Sequence, residues 1–129
     1  MLLLNASGCL DALVAPDTAR QLDAFVTKTV TAEPRQGNPP ARIAETDFGM
    51  LNTIGLANPG RERFLSQTLP RLASLGVPVW VSVGGFSARD FAETCEQLGR
   101  ADCVVHAVET GARSLVRELG THASGRFVV

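Results

Sequence analysis

Apolar positions along this chain recur with two different periods, and the periods alternate. Leu2 to Ala6 is a short apolar run ending in Ser7-Gly8, the pattern of a buried strand feeding a turn. Pro16-Asp17 opens a weakly amphipathic helix to about Leu22, and Ala24 to Val30 (AFVTKTV) is rich in β-branched residues and predicts a second strand. Asn58-Pro59 has the form of a helix cap followed by proline at the first helical position. Phe64, Leu65, Leu69, Leu72 and Leu75 then recur at helical spacing, and Pro70 should kink or split that helix. Val77 to Val83 (VPVWVSV) is the strongest strand pattern and runs into Gly84-Gly85. Ser87 caps a helix through Gln97 that turns Phe91, Cys95 and Leu98 inward. Cys103 to Val108 predicts a fourth strand, Glu109 to about Leu119 a fourth helix, and Arg126 to Val129 the start of a fifth strand.

Strands alternating with helices of this length predict an α/β fold of parallel βα repeats joined by right-handed crossovers. The strands are apolar throughout, as befits a sheet covered on both faces. In such folds ligands collect at the carboxyl ends of the strands. Here those ends carry Asn5 to Gly8, Thr27-Lys28-Thr29, Ser82 to Gly85 and His106. At the same end lies a 34-residue stretch, Thr27 to Gly60, which holds four of the seven prolines. Loops of such length are usually functional or disordered. Phe48, Met50, Leu51, Ile54 and Leu56 favour a functional loop, because an inert linker has no need of them.

Composition narrows the function. At 129 residues, 45% hydrophobic and 19% charged, the chain has the size and apolar content of one folded domain. A net charge of −1 gives no electrostatic footprint for nucleic acid or an anionic membrane. Cys9, Cys95 and Cys103 form no CxxC pair, so neither a disulfide framework nor a metal site is expected, and the odd count suits the reducing cytoplasm. MLLLNASGCL has no basic start and is too short to span a bilayer.

Two groups of residues could carry chemistry. Lys28 lies in a run of apolar and threonine residues, so its ammonium either snorkels to water or meets an anionic ligand such as a carboxylate. Asn52, followed by Thr53-Ile54-Gly55-Leu56, offers an amide, a close backbone approach at glycine and an apolar wall, although an asparagine before glycine also suits a plain turn.

The stretches NASGC, KTVTAEPRQGNPPAR, AET with GMLNTIGLANPG, and VPVWVSVGG stand in an order that closely resembles the amino-terminal half of class 1 dihydroorotate dehydrogenases. The likeness covers about residues 2 to 98, and the loop most resembles the soluble, NAD-linked form that works with an iron–sulfur FAD electron-transfer subunit. The resemblance implies a TIM-type (β/α)8 barrel carrying FMN, in an enzyme that oxidises dihydroorotate to orotate in pyrimidine synthesis. It implies that Ser7, Lys28, Thr29 and, more weakly, Ser82 contact FMN. Lys28, Asn52, Thr53, Ile54, Gly55 and Leu56 would hold the substrate. Ala41 replaces a customary proline, and Ser82 a customary asparagine.

The largest departure follows Leu98. Where the family carries an Asn-x-Ser-Cys-Pro-Asn motif with its catalytic base, this chain reads ADCVVHAVETGARS. Cys103 is expected to be a small buried hydrophobe, His106 a hydrogen-bonded structural residue, Glu109 a helix-opening carboxylate, and Arg113 with Arg117 a solvated face. No catalytic base is assigned. A complete barrel needs about 250 residues and grips its phosphate after strands seven and eight. The expectation is therefore one partial barrel domain over 1–129, truncated and inactive by itself. Two other readings remain: an α/β interaction module that uses an open sheet edge to form a homo-oligomer or dock on a full-length enzyme, and a small-anion-binding domain using Lys28 and the Ser82 to Gly85 turn.

Overall fold

The computed structural model describes residues 1–98, 102–105 and 127–128, with side chains described for 1–98. In chain order its elements are Pro16–Ala19 (α1), Phe25–Val26 (β1), Ile43–Thr46 (β2), Gly49–Asn52 (β3), Arg61–Arg63 (α2), Leu69–Ala73 (α3), Val79–Val83 (β4), Ala88–Leu98 (α4), Asp102–Val105 (β5) and Phe127–Val128 (β6). One sheet has the order β1-β4-β5-β6 and is parallel throughout. The chain is thus α/β with parallel strands. Strand β4 lies inside it, with Val81 and Val83 fully buried. Phe25, Val30 and Val81 from the sheet share a core with Phe64 and Leu72 from the α2–α3 segment and Phe91, Cys95 and Leu98 from α4.

The expected inward face of α4 is the observed one. Its start is held reciprocally: Ser87 Oγ accepts from the Asp90 amide (3.2 Å), while Asp90 Oδ2 accepts from the amides of Phe86 (2.8 Å) and Ser87 (3.1 Å). This is the capping-box arrangement, which satisfies amides that have no partner within the helix. Pro70 acts as its chemistry requires. It lies in the first turn of α3, directly after a π-helical turn, Phe64–Thr68, and the helix widens where proline can neither donate nor tolerate the preceding carbonyl.

Four local expectations change. The first strand contracts to a single parallel bridge, Leu4 with Ala24, leaving Leu2 and Leu3 exposed. Beyond that bridge the Asn5 side chain takes over the pairing, accepting from Val26 N and donating to Val26 O, each at 2.8 Å. Helix α1 stops at Ala19, short of Leu22. Asn58 does not cap the next helix, which starts after Gly60, because its amide is committed to the preceding loop. Finally, the long loop is not structureless: β2 and β3 form an antiparallel hairpin closed at Thr46 and Gly49, with all eight strand residues exposed.

The expected fourth strand is β5, observed as Asp102–Val105, and β6 falls inside the expected fifth strand. The helix expected from Glu109, together with His106, Arg113 and Arg117, lies outside the described residues. Among the described residues, no helix is long and apolar enough to cross a membrane, and no group of three or more His, Cys, Asp or Glu is placed to hold a metal.

Candidate functional site

Strand β1 was expected to run unbroken through Val30, but its register with β4 slips. Between the pairings Val26↔Trp80 and Val30↔Val83, one strand advances four residues and the other three. The extra residue makes a bulge, a device that re-aims side chains near functional sites. Thr27 stabilises it: its amide donates to Trp80 O (3.0 Å), and its hydroxyl accepts from Ser82 N (3.0 Å) in place of a backbone carbonyl. Pairing resumes when Val30 N donates to Ser82 O (2.9 Å) and Gly84 N to Val30 O (2.9 Å).

The bulge turns Thr29 inward and Lys28 outward. Thr29 Oγ1 lies 2.9 Å from Ser82 Oγ and 3.2 Å from Ser7 Oγ, and the Ser7 hydroxyl also donates to Thr27 O (2.9 Å). Three residues from separate strand ends thus form one chain of hydroxyls. Ser82 is completely buried beneath Thr29, whereas Ser7 is half-exposed at the outer end. Lys28 is exposed and, among the described residues, its ammonium has no hydrogen-bond or ion-pair partner. Its stem lies against Gly8, where φ is 78° and an added Cβ would come within 2.7 Å of Lys28 Cδ. Glycine there serves both the left-handed turn and the close approach.

The second expected group is held by different partners. Thr53 N donates to Arg42 O (2.8 Å), continuing the hairpin ladder, and the Asn38 amide donates to Thr53 O (3.0 Å) and Thr53 Oγ1 (2.7 Å). Asn38 N reaches Ile54 O (3.1 Å), and Gly55 turns so tightly around Asn38 that a Cβ would lie 2.6 Å from its nitrogen. Leu56 follows with φ of 55°, a left-handed conformation that a bulky side chain resists. Asn52 itself pairs with Ile43 and is exposed.

Asn58 joins this segment to the sheet. Its Oδ1 accepts from the amides of Thr31 (3.2 Å) and Gly60 (2.9 Å), and its Nδ2 donates to Thr31 Oγ1 (2.9 Å) and Leu56 O (2.7 Å). Its backbone exchanges two further bonds with Arg35 (2.9 and 3.0 Å), whose guanidinium sits 4.8 Å above the Phe86 ring. The loop therefore hangs from Thr31 and from the turn after β4. Gly8, Lys28 and Thr29 border a cleft of about 460 Å³, but Asn52 to Leu56 do not line it. Lys28 and the hydroxyl chain form one cluster, and the Asn52 to Leu56 segment a second, separate one.

A family model described as dihydroorotate dehydrogenase matches residues 2–110. The chain belongs to the dihydroorotate dehydrogenase family. The match extends past Leu98, where the likeness of motifs ended. Similar proteins include the catalytic subunits of dihydroorotate dehydrogenase B (NAD(+)) from Halalkalibacterium halodurans, 46% identical over 88 residues (68% of this chain, 28% of that protein). The one from Listeria welshimeri is 45% identical over 84 residues (65% and 28%), and that from Desulforudis audaxviator 49% identical over 77 (60% and 25%). The chain spans little more than a quarter of the length of these curated relatives.

Both clusters fall within the stretch matched to the dihydroorotate dehydrogenase family. Asn58 and Asn38 were not legible as residues that build these clusters, and Thr27, at an expected strand end, gave no sign of its bond with Ser82 N. The available signal for Asn58, an asparagine before proline, points equally to a helix cap. Its commitment to Thr31 depends on a contact 27 residues away.

Proposed function

We propose that this chain is the strand-end portion of a dihydroorotate dehydrogenase, a partial TIM-type barrel that contributes FMN and dihydroorotate contacts to oxidation to orotate. The observation that carries this reading is the hydroxyl chain Ser7–Thr29–Ser82 at the carboxyl ends of parallel strands, within a segment matched to the family. The groups suit a flavin: the Lys28 ammonium is free to donate to ring oxygens and nitrogens, while the Ser7 and Thr29 hydroxyls, whose protons serve Thr27 O and one another, offer oxygens that accept. Ser7, Lys28 and Thr29 would hold FMN, and Ser82, buried behind Thr29, would fix the direction of its hydroxyl. FMN supplies the hydride acceptor when bound. The Lys28 ammonium would face negative charge, while Asn52 and the Thr53 to Leu56 turn would orient substrate. The strained Leu56 and the Asn58 clamp would keep that turn in one conformation. The setting we propose is a soluble, cytoplasmic assembly with an iron–sulfur FAD electron-transfer subunit; it rests on the resemblance of the loop motifs to the NAD-linked form, and relatives that are catalytic subunits of dihydroorotate dehydrogenase B (NAD(+)) support it.

The test is a chimera in which the matched segment of the Halalkalibacterium halodurans enzyme is replaced by this chain's. The chimera is expected to bind FMN and oxidise dihydroorotate, and Lys28→Ala within it to lower turnover by about a hundredfold or more, the scale of losing one preorganised charged contact. A chimera that folds but neither binds flavin nor turns over would remove the reading. The short chain alone is expected not to retain one equivalent of FMN, as flavin absorbance of the purified protein would reveal.

A further inference from the structure

Strands β2 and β3 form a two-stranded sheet of their own, in which Ile43, Met50 and Leu51 are each more than half exposed. Antiparallel ladders alternate bonded and non-bonded pairs, and the bond from Thr53 N to Arg42 O fixes the phase here. The bonded pairs are therefore Arg42 with Thr53, Ala44 with Leu51 and Thr46 with Gly49. The backbone groups of Met50 and Asn52 then point away from β2 along one edge of the hairpin, and those of Ile43 and Glu45 point away from β3 along the other. Among the described residues none of these edge groups has a hydrogen-bond partner. The two edges differ in charge. Strand β2 carries Glu45, whereas β3 reads Gly-Met-Leu-Asn, with neither the charge nor the proline that commonly blunts an exposed edge.

We propose that β3 is a self-pairing edge: two copies of this chain join β3 to β3 about a two-fold axis at Leu51, making a four-stranded antiparallel sheet. In that register the N–H and C=O of Met50 meet the C=O and N–H of Asn52 in the second copy, and the symmetric pair repeats the exchange, so four backbone bonds form. Leu51 stands opposite Leu51 in a non-bonded pair, where side chains approach most closely. A second copy is the occupant because the edge is complementary to itself and carries no charge to repel its own kind. Pairing through β2 about Ala44 would instead bring the two Glu45 carboxylates to diagonal positions about 7–8 Å apart and centre the contact on a methyl group. Pairing β2 with β3 would leave a free edge at each end and assemble without closing. The contact falls below the roughly 1,000 Å² of a stable interface, so the dimer is a transient one. Its Kd lies above about 1 μM, and the dilute monomer keeps its own fold. The pairing rests on the hairpin backbone alone, so its failure leaves the flavin reading standing.

The experiment is sedimentation velocity of the full chain at concentrations from about 1 μM to about 300 μM, where a reversible monomer–dimer equilibrium is expected. Leu51→Lys sets two ammonium groups opposite each other and should weaken the dimer by about tenfold or more. Met50→Pro should do the same, because it deletes an outward N–H that the hairpin itself does not use. Glu45→Lys, on the other edge, should leave the Kd within about twofold. Leu51→Cys on a Cys9→Ser background tests the same axis without weakening the hairpin: mild oxidation should link two copies through position 51, as peptide mapping would reveal. A chain that stays monomeric throughout, a dimer unchanged by both Leu51→Lys and Met50→Pro, open-ended growth with concentration, or absence of the link at position 51 would each overturn the proposal. So would a dimer lost with Glu45→Lys but kept with Leu51→Lys, since that places the pairing on β2.

Discussion

The strand-end hydroxyl cluster and the β2–β3 hairpin are stabilised in opposite ways. Ser7, Thr29 and Ser82 come from positions 22 and 53 residues apart, and their geometry exists because a buried parallel sheet brings strand ends together. The hairpin needs only its own ten residues: the register Thr46↔Gly49 and the Thr46 hydroxyl on Gly49 O (3.0 Å) close it locally. It exposes Ile43, Met50 and Leu51 along its strands and Phe48 at its tip. The cluster is thus held by long-range burial, and the hairpin by local pairing with its strand residues exposed.

The sharpest break of this contrast pairs two substitutions to the same residue. Val81→Asp, at 0% exposure in the central strand, is expected to destabilise by more than about 4 kcal/mol and abolish cooperative unfolding in urea. Met50→Asp, at 62% exposure, should shift the same transition by no more than about 0.5 kcal/mol. Equal effects would mean that the hairpin is part of the core.

Asn58→Ala tests the joint between the regions. Losing its four side-chain bonds should destabilise by about 2–3 kcal/mol. Hydrogen exchange should speed up at the amides of Thr31 and Gly60 while those of Val81 and Val83 stay protected. Uniform acceleration across the sheet would show that the clamp serves the whole fold.

Smaller effects probe each region from within. Ser82→Ala removes one end of the hydroxyl chain and is expected to cost about 1 kcal/mol, since Thr29 keeps its contact with Ser7. Phe48→Ser, at a fully exposed tip, should leave stability within about 0.5 kcal/mol in the same urea assay.

Elements with strong patterns of their own were legible. The β-branched run into Gly84, the Ser87 to Asp90 cap and the inward face of α4 each rest on neighbours within four residues, so the sequence carries them directly. The same holds for Pro70, whose missing donor and bulky ring disrupt any helix that contains it. The first strand failed because its pairing is done by the Asn5 side chain at the sheet edge, which no apolar count reveals. The hairpin was missed because Asp47-Phe48 is not a preferred two-residue turn and its strands lack a buried face to impose alternation. The likeness of motifs points to the residues of the two clusters, but not to the bulge that turns Lys28 outward.

The sequence by itself determined the α/β alternation, the parallel strands implied by their apolar runs and the family to which the chain belongs, because periodicity and ordered motifs are written along the chain. Only the tertiary structure decided that Lys28 faces outward, that Ser82 lies buried behind Thr29 and that Asn58 holds the loop. A one-residue slip between strands more than fifty residues apart is specified by how two segments fit together, and neither segment encodes it alone.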